Sequence, residues 1–206
     1  GHSAILSFCA PKVITSGEGG AVVTDSKKLY EKLKLIRSQG RAEVENYFSS
    51  AKYMDYVSLG YNFRMSNIVA ALGRSQLKKI GKIIKMRQEK ARYFTNKLSK
   101  VKELILPPIP SQNYSHVYQV YTIRVKDGRK IRNALKRYLN KEGVMAKVYF
   151  HPVHLTYFYK NKLRYRVCLP VTERVSEQAL TLPLYPAISK KEMDYIIKKI
   201  KQFFGL

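Results

Sequence analysis

Lys12 is the residue of this sequence whose setting gives its side chain most scope for chemistry. The residues around it, 7–16, are small or apolar, and a glycine-rich turn and a β-branched run follow, with the sequence GEGGAVVT. Burial among such residues disfavours the charged form of a lysine, and a neutral lysine amine is a nucleophile that forms Schiff bases with carbonyl compounds. An ordinary exposed loop lysine has the same signature, and these residues alone favour that simpler interpretation.

The two cysteines, Cys9 and Cys168, predict neither a metal site nor a disulfide framework, because no partners stand at ligand spacing. A reducing, cytoplasmic location is therefore the expectation. No apolar run approaches the roughly 18 residues that a membrane span needs. The first residues, GHSAILSF, also lack the basic and then apolar pattern of a signal peptide. We expect no membrane partner.

The charge of the chain is strongly positive and uneven. The 206 residues include 39 Lys and Arg against 14 Asp and Glu, and residues 76–206 hold 29 of the former and 8 of the latter. This excess favours anionic partners such as nucleic acid, an anionic membrane surface or phosphorylated small molecules. Solvated helix faces are the favoured explanation, because no nucleic-acid motif accompanies the charge, so nucleic acid is expected to bind only non-specifically.

The elements that must position Lys12 can be predicted from hydrophobic periodicity. Residues 21–24 are predicted to form a strand, and Asp25 and Ser26 then cap a helix over 27–38 that Gly40 ends. Residues 41–58 have no period and predict a loop. A long helical region is expected over 67–98, with a break near Gly81 where the apolar stripe changes phase.

The pattern changes after the proline-rich segment 106–110, which predicts a linker. Predicted elements follow in the order strand, helix, strand, helix, helix, over residues 117–125, 129–141, 144–150, 171–179 and a final helix that begins after Ser189. Glu192 stands at the capping-box position of that last helix. This order fits a small α/β domain.

Four motifs, in this order, resemble the DegT/StrS family, the sugar aminotransferases among the fold-type I pyridoxal-phosphate enzymes. They are SFCAPKVITSGEGGAVVT at residues 7–24, LGYNFRMSN at 59–67, Tyr149 with Pro152 and His154, and LPVTER at 169–174 with LPLYP at 182–186. The match extends over essentially the whole chain, and on these motifs the sequence is identified as a member.

The resemblance implies an α/β fold of the aspartate aminotransferase-like type. Residues 1–105 would form the C-terminal part of the large domain that binds pyridoxal phosphate, and residues 106–206 the small C-terminal domain. The implied reaction is amino transfer, with glutamate as the usual donor, to a keto-sugar carried on a nucleoside diphosphate.

The resemblance also assigns roles to individual residues. Lys12 matches the lysine that forms the Schiff base with the cofactor and moves the proton during transamination. Ser7 matches a hydroxyl that binds the cofactor phosphate. Asn62 matches an asparagine that reaches the phosphate in the partner subunit, which implies a homodimer. Arg64 either pairs with the substrate or holds its loop, and His154 either lies at the sugar end of the substrate or is structural.

The family has a further, N-terminal portion that supplies a glycine-rich phosphate turn, an aromatic residue stacked on the cofactor ring and an Asp paired with the ring nitrogen. No segment of this chain matches these three parts, so we expect a fragment that is inactive by itself. A separately encoded N-terminal half is one expected partner. The alternative is a catalytically inactive remnant, or a module that binds polyanions through its basic residues.

Overall fold

The computed structural model describes residues 1–42 and 53–206, which form two compact units, Gly1–Ile80 and Gly81–Leu206. Both helices and strands are present, as the α/β prediction requires. Most of the loop predicted over 41–58 lies outside the described residues. The domain boundary predicted between residues 105 and 106 stays a prediction about the complete fold.

The first unit is built on an antiparallel pair of strands. β1 (Ala4–Ser7) pairs with β2 (Gly20–Val23), so that Ser7 lies opposite Gly20. Two helices follow, α1 (Lys27–Arg37) and α2 (Asn67–Leu77). The hydroxyls of Ser26 and Ser66 cap them by accepting hydrogen bonds from backbone amides three residues ahead, both at 3.3 Å.

The predicted break in the long helical region is confirmed. α2 ends at Leu77 and α3 (Ile80–Leu98) begins three residues later. Between them, the Lys78 and Lys79 amides donate to carbonyls of the last turn of α2. The phase change of the apolar residues therefore marks a real separation of two helices.

The second unit has a three-stranded antiparallel sheet in the order β3 (Leu104–Ile105), β4 (Tyr121–Val125), β5 (Ala179–Leu182). The helices α3, α4 (Gly128–Lys141), α5 (Pro170–Gln178) and α6 (Lys190–Phe203) complete the unit. Alternate residues of β4 are buried, and together with the apolar sides of the helices they form the core, which includes Phe94, Leu98, Tyr121, Ile123, Val125, Leu135, Leu139, Leu180 and Ile200.

One predicted strand is wrong. Residues 144–150 form no strand, and only Lys147 makes a bridge, to Thr181. The third strand is instead β5, which the sequence assigned partly to the preceding helix. All four residues of β5 are buried, so the strand lacks the alternation of polar and apolar residues that identifies a half-exposed strand.

The final helix agrees with its prediction in detail. The Ser189 hydroxyl accepts from the Glu192 amide, and the Glu192 carboxylate accepts from the Ser189 amide, which completes the capping box. The buried side of α6 is the predicted stripe of Met193, Ile196, Ile197 and Ile200. Local sequence signals were sufficient here because caps and helical stripes involve residues close in the chain.

Candidate active site around Lys12

Lys12 lies half-buried on a loop, residues 9–14, that leaves the end of β1 and returns beside it. Both ends of the loop meet at Phe8, whose carbonyl accepts hydrogen bonds from the Ser16 amide at 3.0 Å and the Thr15 hydroxyl at 2.9 Å. Inside the loop, the Lys12 amide donates to the Cys9 carbonyl at 3.0 Å. The backbone of Lys12 is therefore held by this turn and by the two hydrogen bonds to the Phe8 carbonyl, which join the ends of the loop. We call this junction the neck of the loop.

The glycine-rich turn behind the loop favours glycine through its backbone conformation. Gly17 and Gly19 have φ angles of +86° and +132°, which residues with a side chain rarely adopt. A Cβ atom on Gly19 would also lie 2.7 Å from Cε of Met65. The Met65 side chain thus lies against the turn, and the first and second sequence motifs meet in the folded chain.

Asn62 is placed by an extended segment that runs beside the end of α1. The Tyr61 amide donates to the Ile36 carbonyl at 2.7 Å, and the Phe63 amide donates to the Arg37 carbonyl at 2.9 Å. These two bonds fix the backbone on both sides of Asn62. The segment and the end of α1 are more than twenty residues apart in the sequence, so periodicity gave no sign of this pairing.

The extended segment approaches the end of α1 closely because glycines occupy both backbones where the two cross. A Cβ on Gly40 would lie 1.7 Å from the Ser58 carbonyl oxygen, and one on Gly60 would lie 2.2 Å from the Gly40 nitrogen. Neither position has space for a side chain. The sequence predicted Gly40 only as the end of a helix, and its second role in the crossing depends on the tertiary structure.

The exposed side chains of Asn62 and Arg64 contact each other, since Nε of Arg64 donates to Oδ1 of Asn62 at 3.4 Å. With its oxygen used in this way, the Asn62 amide presents its NH₂ group as a donor. Ser7, also exposed, presents a hydroxyl at the end of β1, and that hydroxyl lies 3.5 Å from the Cys9 amide nitrogen. The roles assigned to these residues stay predictions.

His154 lies in the second unit, in a short 3₁₀ turn, Val153–Leu155, and is buried. Its Nε2 donates to Oε1 of Glu173 at 3.0 Å, and the Leu169 amide donates to the same oxygen at 3.0 Å. The Leu169 amide and then the His154 ring hold the pKa of Glu173 below its usual value of 4.5. The sequence did not single out Glu173, which lies nineteen residues from His154. A role for His154 at the sugar end of the substrate stays a prediction.

Two further observations concern the described residues only. Within residues 1–42 and 53–206, no three His, Cys, Asp or Glu side chains are grouped so that they could hold a metal ion. No helix in these same ranges is long and apolar enough to cross a membrane.

Comparison with known proteins identifies the relatives of this chain. The family model described as DegT/DnrJ/EryC1/StrS aminotransferase family matches residues 1–201. The chain is 31% identical over 208 residues to an uncharacterised protein of Methanocaldococcus jannaschii, with 98% of this chain and 54% of the relative aligned. It is 29% identical over 205 residues to GDP-perosamine synthase of Escherichia coli O157:H7, with 100% of this chain and 52% of the enzyme aligned.

Among solved structures, PseC of Helicobacter pylori, an aminotransferase involved in the biosynthesis of pseudoaminic acid, is similar with a TM-score of 0.87 and 28% sequence identity. The match covers 99% of this chain and 53% of PseC. The predicted fold, part of a fold-type I aminotransferase, is thereby confirmed. The chain spans about half the length of the relatives that it matches.

Proposed function

Because the chain belongs to the DegT/DnrJ/EryC1/StrS aminotransferase family, we propose that it supplies the lysine of a pyridoxal-phosphate-dependent sugar aminotransferase. The observation that carries the proposal is the loop of Lys12, which is closed at Phe8 and followed by the turn against which Met65 packs. Such a closed loop can hold a half-buried amine in one place. A free surface lysine needs no arrangement of this kind.

Ser7, Lys12 and Asn62 have the chemistry that pyridoxal phosphate requires. A phosphate group accepts hydrogen bonds, and the Ser7 hydroxyl and the Asn62 NH₂ group are donors. Lys12 provides the primary amine for attachment to the aldehyde of the cofactor. The donor set therefore fits the group, and the resemblance assigns the same three residues to it.

In the proposed reaction pyridoxal phosphate would supply an electron sink when bound. Nζ of Lys12 removes the proton from the substrate carbon and delivers it again during amino transfer. Ser7 and Asn62 would hold the phosphate, the latter across a subunit boundary. Arg64 orients the Asn62 amide through the bond to Oδ1, or pairs directly with the substrate.

The proposed substrate is a keto-sugar linked to a nucleoside diphosphate, with glutamate as amino donor. The name of one relative, GDP-perosamine synthase, points to a nucleotide sugar, and PseC is described as an aminotransferase involved in the biosynthesis of pseudoaminic acid. An excess of Lys and Arg over Asp and Glu also suits an anionic diphosphate. We place this activity in the cytoplasm.

The proposed assembly is a homodimer or larger, completed by the part of the fold that this chain does not match. The two-stranded sheet of the first unit exposes apolar side chains, among them Ile5 at 82% and Val23 at 48%. Exposed apolar strands of this kind favour pairing with further strands, and their apolar side chains favour cover by another part of the protein. A separately encoded N-terminal half, or further residues of a longer polypeptide, would provide that cover.

The test of the proposal is chemical labelling of Lys12. After incubation with pyridoxal phosphate, borohydride reduction and peptide mapping should mark Lys12 ahead of the other lysines. The variant Lys12→Arg should lose this mark, whereas Lys27→Arg, a change of the same kind at an exposed position of α1, should keep it. Preferential marking of a different lysine would overturn the assignment.

Turnover by this chain alone is not expected, since no segment of it matches the stacking aromatic residue or the Asp that pairs with the cofactor ring. A second candidate function, binding of polyanions, is favoured by one observation, the excess of positive charge in the second unit. The excess charge should give salt-sensitive retention on polyanions under either function, whereas sequence-selective retention that survives high salt would favour a nucleic-acid function.

A further inference from the structure

We propose that Thr15 is a positioning residue for Lys12, and that its hydroxyl closes the neck of the loop that carries the lysine. The hydroxyl donates to the Phe8 carbonyl at 2.9 Å and accepts from the Gly17 amide at 2.9 Å. A single side chain thus joins the backbone that enters the loop to the backbone that leaves it. The inference rests on the proposed function only in taking Lys12 as the reactive lysine.

The neighbours of Thr15 fix the backbone on which this hydroxyl stands. Ile14 and Ser16 are buried, with 8% and 3% of their surface exposed. The Ser16 hydroxyl donates to the Glu18 carbonyl at 2.8 Å, and the Ser16 amide donates to the same Phe8 carbonyl that Thr15 contacts. The backbone that leaves the loop is therefore fixed by its buried neighbours. The Thr15 hydroxyl connects this fixed backbone to Phe8, which follows β1.

The loop itself has less support than its neck. The backbone hydrogen bond within residues 9–14 is the one from the Lys12 amide to the Cys9 carbonyl. Loss of the Thr15 hydroxyl should therefore loosen the lysine loop more than it loosens the rest of the chain. A reacting amine must be held to within about 0.5 Å of its productive position, so loosening of this kind matters for chemistry.

The chain contains a matched control for this contact. The Thr24 hydroxyl, just beyond the end of β2, donates to the His2 carbonyl at 2.7 Å and accepts from the Ser26 amide at 3.1 Å. This is the same pair of contacts, a carbonyl and an amide two residues ahead, but it lies at the other end of the hairpin from Lys12. Thr24→Val thus removes an equivalent hydroxyl away from the loop.

The first experiment measures amide hydrogen exchange in the 206-residue chain. In Thr15→Val, the amides of Lys12, Ser16 and Gly17 should exchange at least about threefold faster, the size of effect that roughly one neutral hydrogen bond has. Thr15→Ser keeps the hydroxyl and should restore slow exchange. Thr24→Val should leave these amides unchanged. Equal acceleration in β4, which lies in the other compact unit, would indicate a general loss of stability and overturn the inference.

The second experiment measures how selectively Lys12 is labelled. The ratio of Lys12 to Lys27 modified by pyridoxal phosphate and borohydride should fall at least about threefold in Thr15→Val and return in Thr15→Ser. An unchanged ratio in Thr15→Val would contradict a positioning role. If Lys12 is not preferentially marked in the unaltered chain, the proposed function fails, and amide exchange alone then decides whether Thr15 closes the loop.

Discussion

At the scale of single residues, the pair formed by His154 and Glu173 links two segments of the second unit. Glu173 lies in the first turn of α5 and accepts from both the Leu169 amide and the buried His154 ring. Its carboxylate thereby closes the N-terminus of the helix and satisfies a buried imidazole. A negative charge at this position should matter for stability.

We predict that Glu173→Gln lowers the melting temperature at pH 7 and that its effect disappears in acid. The pKa of Glu173 is held below 4.5 in the folded chain and returns to its ordinary value on unfolding. At pH values between the folded and the unfolded pKa of Glu173, the unfolded state therefore binds more protons than the folded state. The stabilisation is complete above the unfolded pKa and is lost as the pH falls through the folded pKa. Thermal unfolding of both proteins between about pH 2 and pH 7 measures the difference.

Glu177→Gln is the control, because Glu177 is an exposed carboxylate on the same helix. It should change the melting temperature at pH 7 less than Glu173→Gln does. A pH profile of Glu173→Gln that runs parallel to the profile of the unaltered chain would contradict the linkage.

At the scale of elements, the extended segment before α2 carries an exposed apolar stripe. Its odd-numbered residues are large and apolar, and the exposed fractions are 56% for Val57, 83% for Leu59, 53% for Tyr61 and 66% for Phe63. The rings of Tyr61 and Phe63 stack with centroids 5.0 Å apart. Aromatic residues exposed together in this way are typical of contact surfaces.

We therefore predict that the chain associates with itself through this stripe. The double variant Leu59→Lys with Phe63→Lys should shift the assembly toward monomer, because two charges would enter an apolar contact. Both side chains are exposed, so the melting temperature of the dissociated chain should change little. Light scattering at micromolar concentration provides the measurement.

A double variant with the same added charge elsewhere serves as the comparison. Ile109 and Met145 are exposed to 74% and 69%, and changing both to Lys should leave the assembly intact. Strictly monomeric behaviour of the unaltered chain would contradict the proposed dimer.

At the scale of the whole molecule, the two units differ sharply in charge. Residues 81–206 contain 27 Lys and Arg against 8 Asp and Glu, whereas residues 1–80 contain 12 against 6. Exposed cations of α4, such as Arg129, Lys130 and Arg137, contribute to the larger excess. Such an excess attracts any polyanion without selecting a sequence.

We predict that the chain binds heparin and DNA of any sequence, and that salt releases it. Screening shortens the range of exposed charges from about 8 Å at physiological ionic strength to about 3 Å at 1 M salt. The triple change of Arg129, Lys130 and Arg137 to Gln should lower the salt concentration of elution. The triple change of Lys27, Lys28 and Lys32 to Gln, on α1, should lower it less. Retention that survives high salt and selects one DNA sequence would instead support a nucleic-acid function.

Much of this protein follows from its sequence alone. The motif around Lys12 and the block at residues 59–67 predicted the family, and the family model confirms it. Caps at Ser26 and Ser189, the stripe of α6 and the break after α2 were also predictable. Each of these signals is carried by residues a few positions apart, whose interactions the sequence displays directly.

Which distant segments of the chain meet could be learned from the folded structure alone. The crossing of Gly40 and Gly60, the contact of Met65 with Gly19, and the bond from His154 to Glu173 each join residues that are far apart in the chain. The same holds for β5, whose uniform burial gave no alternation typical of a strand and whose pairing partner, β4, lies more than fifty residues earlier in the chain. Sequence periodicity indicates which side of a helix or strand is apolar. The element that packs against that side depends on how the whole chain folds.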